Sequence, residues 1–139
     1  MTVRNAVESD YPAIARIQYR CPEAAQWPAG DYSNFRVLVA VANGTLFGFC
    51  AWRQSMDDEA ELLNLGVDPD HRKRGVASAL LTALEAAAKG TIYLEVAETN
   101  APAITAYHKM GWESIGVRRG YYSNGTVAAV VMRHTSRGT

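Results

Sequence analysis

The run Val67-Asp68-Pro69-Asp70-His71-Arg72-Lys73-Arg74-Gly75-Val76-Ala77 decides the fold. An apolar strand stops there, three cations follow, and a helix opens on a glycine. Beyond it, Val76, Leu80, Leu81 and Leu84 recur at three- and four-residue spacing, so 75–89 reads as an amphipathic helix stopped by Gly90. Before it, 59–67 reads as a strand, and 92–96 is a second apolar strand after the helix. A strand, helix and strand in succession predict parallel neighbours joined by a right-handed crossover.

Further out, 35–42 and 45–54 are rich in Val, Phe and Leu and flank Asn43-Gly44, which predicts a hairpin. Asn43-Gly44-Thr45 and Asn124-Gly125-Thr126 both match a glycosylation sequon, yet each reads better as a turn needing positive φ. Residues 2–7 read as a first strand. Ser9 or Asp10 then caps a helix with Pro12 in its first turn, Ile14 and Ile17 on one face, and a stop near Cys21-Pro22. Residues 22–34 mix prolines, glycine and Trp27 without a clean period and read as a loop or short irregular helix. Asn100-Ala101-Pro102 opens a short helix carrying Ile104, Tyr107 and Met110 on one side and ending at Gly111. Residues 112–122 and 127–132 form a last hairpin around the second Asn-Gly pair. The expected class is α/β, a twisted mixed sheet of about six to seven strands flanked by about four helices, in a single domain over 1–139.

With 139 residues and 48% hydrophobic content, the chain can bury an ordinary one-domain core without staples. Lys plus Arg and Asp plus Glu are 14 each, so nothing marks a nucleic-acid partner, and any polyanion must be met by a local cluster. Cys21 and Cys50 lie far apart without metal-ligand spacing, which favours buried thiols in a reduced compartment and no metal. The start, MTVRNAVESD, lacks an apolar signal region, and no run of about 18 apolar residues exists, so the expected setting is cytoplasmic, away from membranes.

A helix N-terminus presents unpaired N–H groups and roughly half a positive charge, so phosphate binds there without a dedicated cavity. Gly75 and Ala77 keep bulk out of the way, while Arg72, Lys73 and Arg74 oppose the helix dipole, a conflict an anion removes. A solvated basic turn accounts for the same residues. Neither G-x-x-x-x-G-K-[ST] nor G-x-G-x-x-G occurs, so nucleotide hydrolysis and dinucleotide binding lack their signatures.

Arg72-Lys73-Arg74-Gly75-Val76-Ala77 resembles the [RQ]-x-x-G-x-[GA] pyrophosphate motif of the GNAT family of acetyl-CoA-dependent N-acetyltransferases. Tyr93-Leu94-Glu95-Val96, Asn100-Ala101-Pro102-Ala103-Ile104, Ala106-Tyr107 and Met110-Gly111-Trp112 are similar to that family's second signature. Gly116-Val117-Arg118-Arg119-Gly120-Tyr121-Tyr122 is similar to its ribosomal-protein-alanine acetyltransferase branch. The resemblance is close from about Glu61 to Met132 and general before that.

It implies acetyl transfer from acetyl-CoA to a primary amine, the α-amine of a protein N-terminus such as that of a ribosomal protein, with a small-molecule amine such as a polyamine as the alternative. A non-catalytic acyl-CoA-binding module is the rival outside enzymology; it has no need of Glu95 and Tyr107. By resemblance Arg72 to Ala77 hold the pyrophosphate, Leu65 and Val67 bind the pantetheine arm through backbone groups, and Asn100 contacts that arm while capping its helix. Glu95 takes the general-base position, with Glu61 on the preceding strand as competitor. An outward-facing strand carboxylate is the plain alternative for Glu95. Tyr107 stands beside the coenzyme sulfur, or is simply a core aromatic. A phenol near pKa 10 hydrogen-bonds a departing thiolate near 8.5 readily, but full transfer is uphill by about 2 kcal/mol. Freeing an α-amine of pKa about 8 at pH 7 costs about 1 kcal/mol, against about 4 to 5 for lysine, so a modest base suffices. Tyr121 and Tyr122 resemble a pair flanking an N-terminal peptide, or else pack across a hairpin. Trp27 sits where the branch carries a different segment, Gln26-Trp27-Pro28-Ala29 here. The chain is expected to be a monomer or weak homodimer.

Overall fold

A computed structural model of the chain describes residues 1–122 and 125–135. Asn124, of the second predicted turn, lies outside the described residues, as do the side chains of Tyr121 and Tyr122. Strands β1 (Thr2–Asn5), β2 (Arg36–Ala42), β3 (Thr45–Met56), β4 (Glu59–Val67), β5 (Thr91–Ala97), β6 (Glu113–Tyr122) and β7 (Val127–Thr135) form a mixed seven-stranded sheet in the order β1-β2-β3-β4-β5-β7-β6. The α-helices are α1 (Tyr11–Tyr19), α2 (Val76–Ala87) and α3 (Ala101–Lys109), and 3-10 helices span Glu8–Asp10, Ala29–Asn34 and Pro69–His71. None of these is long and apolar enough to cross a membrane. The chain divides into two compact units, Met1–Arg53 with Leu62–Ala87, and Gln54–Glu61 with Ala88–Thr139.

In the first unit β1, β2 and β3 are antiparallel neighbours. The β2–β3 turn needs left-handed backbone at both central residues, and Asn43 and Gly44 supply φ of 52° and 75°. The predicted face of α2, Val76, Leu80, Leu81 and Leu84, is the buried one. That helix comes so close to β3 that a Cβ on Gly48 would stand 2.9 Å from Val76 Cγ1. Ile14, Ile17, Cys21, Tyr32, Val37, Val39, Leu46, Phe49 and Ala51 make one core.

Segment 22–34 belongs to this core. Tyr32 is fully buried with its ring edge-on to Phe49, and Trp27 packs between Tyr32 and Phe35. A polar network fastens the segment. Asn64 Oδ1 accepts from Ala25 N at 3.0 Å, its Nδ2 donates to Ala25 O at 2.9 Å and to the Tyr32 hydroxyl at 3.1 Å, and that hydroxyl donates to Gln18 Oε1. Gln18 Nε2 in turn donates to Trp27 O at 2.8 Å. Burial pushes the Tyr32 hydroxyl up to about 12, so it remains a donor.

In the second unit β4 and β5 are parallel, with Glu59 to Glu61 opposite Thr91 to Tyr93, while β7 is antiparallel to both β5 and β6. β3 runs past its predicted end at Gln54 to Met56, because the Gln54 amide is held by Lys89 O and Glu59 O and itself accepts from Lys89 N. Gly90, at φ 79°, leaves the chain just room beside the Asp58 carbonyl. Asn100 Oδ1 accepts from Ala103 N and caps α3, which ends before Gly111 at φ 92°. Tyr107 and Trp112 pack together in a buried aromatic group with His134. His108 is exposed; its Nδ1 lies 3.1 Å from the Trp112 carbonyl, which can only accept, so that nitrogen carries the hydrogen.

Candidate active site

In the first unit the predicted cation turn begins with Asp68, whose side chain accepts from Asp70 N and starts a short 3-10 turn, Pro69–His71. The His71 ring lies flat on Phe47, 3.9 Å between centroids. Arg72 is extended, Lys73 sits at φ 62°, Gly75 at φ 79°, and α2 starts at Val76. A lysine in left-handed backbone costs on the order of 1 kcal/mol or more. That cost is incurred in an exposed turn directly ahead of a helix N-terminus, a place that favours an anion.

Arg72, Lys73, Arg74 and Gly75 are exposed, and a Cβ on Gly75 would meet nothing within 4 Å, so the approach to the helix start is open. Ala77 is half-buried. Val76 is 2% exposed, so only its backbone faces that approach while its side chain serves the core. Arg72 is already engaged. Its Nη2 donates to Glu23 Oε1 at 2.7 Å and to Cys21 Sγ at 3.5 Å, and its Nε to Val67 O at 3.4 Å. Arg20 pairs with Asp68 and Asp70 at 2.9 and 3.2 Å, pinning the end of α1 to the same turn.

Leu65 and Val67 are half-buried on one face of β4, while Leu62, Asn64 and Gly66 alternate onto the buried face. Leu65 N donates to Asn64 Oδ1, and Val67 O accepts from Cys21 Sγ at 3.2 Å. Gly66 stands where a Cβ would be 2.6 Å from the Phe49 ring. Trp27 is half-buried in the fastened segment. Cys21 and Cys50 are free and buried, as expected of structural thiols; burial raises both, Cys50 to about 12.

In the second unit Glu61 faces Tyr93 across the parallel pair, and Glu95, two residues on from Tyr93, shares their side of the sheet. Ile92, Leu94 and Val96 take the buried side. The Glu95 carboxylate is 25% exposed and pairs with Arg118 Nη2 at 2.7 Å from β6. Tyr107 is 9% exposed, and Asn100 is half-buried at its cap. Tyr121 and Tyr122 close β6 at the pair Tyr122↔Val127, and nothing is described of their side chains.

Sequence reasoning missed three residues. Asn64 had a readable signal, an amide on the apolar parity of β4 between Leu62 and Gly66. Glu23 and Arg118 are charged residues whose partners lie 49 positions away in the one case and on another strand in the other, and no local pattern marks that. Among the described residues no group of three or more His, Cys, Asp or Glu is placed to hold a metal.

The ribosomal protein bS18-alanine N-acetyltransferase of Escherichia coli (strain K12) is 34% identical over 145 residues, covering 94% of this chain and 95% of that one. N-alpha-acetyltransferase RimI of Mycobacterium tuberculosis (strain ATCC 25618 / H37Rv) is 35% identical over 120 residues, covering 79% and 76%. The crystal structure of the ribosomal-protein-S18-alanine N-acetyltransferase from Escherichia coli superposes with a TM-score of 0.84 at 28% identity, over 99% of this chain and 95% of that one. The acetyltransferase (GNAT) family model matches residues 2–112, which bear β1 to β5, the cation turn and the capped third helix, and the chain belongs to that family of acetyltransferases.

Proposed function

We propose that the chain acts as one N-acetyltransferase domain that moves an acetyl group from acetyl-CoA to the α-amine of a protein N-terminus. The observation that carries the coenzyme assignment is the open cation turn, Arg72 to Ala77, with its left-handed Lys73 and Gly75 at the start of α2. Its donors suit a pyrophosphate: backbone N–H groups, the exposed cations Lys73 and Arg74, and the Arg72 guanidinium. Leu65 and Val67 take the pantetheine arm through the backbone, and Asn100 offers its Nδ2 to it while Oδ1 caps α3. The similar ribosomal-protein-alanine enzymes support a peptide acceptor.

In the reaction the neutral amine attacks the thioester carbonyl, a C–N bond forms, and the C–S bond breaks. The amine proton passes to Glu95, directly or through water, and Tyr107 hydrogen-bonds the departing thiolate. The resemblance gives Glu61, Trp27, Tyr121 and Tyr122 acceptor-binding roles. Glu95 is favoured over Glu61 as base because it falls in the stretch, Tyr93 to Val96, that resembles the family's second signature.

Coenzyme A release, measured with peptides beginning Ala, Ser or Met and with polyamines, tests the acceptor; release with polyamines alone would overturn the N-terminal reading. Calorimetric titration with acetyl-CoA should show binding that weakens with salt and with Arg72→Glu. Glu95→Gln and Tyr107→Phe should each lower kcat by about a hundredfold, and full kcat across pH 6 to 9 in both would refute the mechanism.

A further inference from the structure

β6 is an outer strand of the sheet, and from it Arg118 reaches past β7 to Glu95 on β5. Arg118 is registered with Ala129, and Ala129 with Ala97, so its base sits two residues along from the Glu95↔Val131 pair. The guanidinium is 57% exposed and the carboxylate 25%, so the pair is open to water on one side. The next cross-strand row holds Glu61, Tyr93, Arg133 and Glu113. There Arg133 Nε donates to Glu113 Oε1 at 2.6 Å, which occupies that cation with a carboxylate at the edge of the sheet.

The proposed base is thus a carboxylate with a guanidinium at its side. Such a pair matches an acceptor bearing an amine and, three bonds away, a carbonyl oxygen, as in the first residue of any peptide. It mismatches a polyamine, which has no carbonyl and whose further ammonium groups would meet Arg118. We propose that Arg118 is a specificity-determining residue. It orders Glu95 before the acceptor arrives, then turns to the first peptide carbonyl while Glu95 faces the α-amine. The proposal rests on the reading of Glu95 as the group facing the acceptor amine.

The test is steady-state kinetics with a peptide beginning Ala-Ser and with spermidine, on the wild-type chain and on Arg118→Ala, Arg118→Lys and Arg118→Glu. Arg118→Ala should raise the peptide KM about tenfold with kcat within about threefold, the loss expected for one charged hydrogen bond. Arg118→Glu should raise kcat/KM for spermidine about tenfold, and Arg118→Lys should keep spermidine excluded. Thermal melts confirm folding, and Arg118→Ala and Arg118→Lys carry the test if the glutamate variant unfolds. A peptide-to-spermidine ratio unchanged by every variant, in an enzyme that acetylates the peptide, overturns this inference alone. A wild-type chain that acetylates neither acceptor overturns the proposed function and this inference with it.

Discussion

Replacing Asn64 by leucine tests how the segment 22–34 is held. The side chains share one branched outline, leucine being the bulkier, so the change chiefly removes hydrogen bonds. Three of those bonds cross to the segment, to Ala25 N, Ala25 O and the Tyr32 hydroxyl. At about 1 kcal/mol net for each neutral bond, their loss costs about 3 kcal/mol. Leucine needs no partners of its own, and removing the buried amide regains about 1 kcal/mol. The net is about 2 kcal/mol, or about 5 to 10 °C in Tm for a domain of this size. Urea unfolding of the wild type, Asn64→Leu, Tyr32→Phe and the double variant measures this. The two single losses should couple by at least about 0.5 kcal/mol, since the residues share one bond. A loss below about 0.5 kcal/mol for Asn64→Leu, or strict additivity, would refute the claim that this network fastens the segment.

Gly90→Ala should destabilise by more than about 2 kcal/mol, because the new Cβ would lie 1.8 Å from Asp58 O on backbone at φ 79°; a melt within about 1 °C of wild type would contradict that packing. Asp10 accepts two bonds from Arg4, at 2.8 and 3.0 Å, and one from Val7 N at 2.8 Å; chiefly the Arg4 bonds hold its carboxyl below the usual range. A carboxyl depressed in the folded state contributes stability that is present above its unfolded pKa near 3.9 and lost as pH falls through the folded value. Wild-type stability should therefore fall more steeply below about pH 4 than that of Asp10→Asn, and parallel acid limbs in pH-dependent urea melts would refute the assignment.

Much of the fold was legible because glycine and asparagine are placed where backbone rules leave little choice. Asn43-Gly44, Gly90 and Gly111 all adopt the positive φ their turns demand, and Asn100 caps α3 through its side chain. The α2 face followed from spacing alone, since one stripe of four apolar residues must find the core. Residues 22–34 were not legible. Their order comes from Asn64 and Gln18, donors and acceptors supplied by distant elements, and not from any period of their own. The strand order β5-β7-β6 was equally hidden, because a hairpin motif states that two strands pair but not which of them joins the sheet. At the candidate site the cation turn and the carboxylates could be picked out by residue type, whereas the partners of Arg72 and Glu95 could not.

The bond between Arg72 and Glu23 has a consequence for how the turn responds to ionic strength. A guanidinium already carrying a carboxylate at 2.7 Å gathers little chloride around itself. If the turn holds a pyrophosphate as proposed, the ion it would set free from Arg72 is Glu23, an internal counterion whose release adds nothing to the mass action of dissolved salt. Coenzyme affinity should then depend on salt less steeply than three unpaired cations would dictate. Glu23 lies at the start of the segment that Asn64 fastens, so on that proposal the protein itself, and not the bulk electrolyte, would register the anion's arrival.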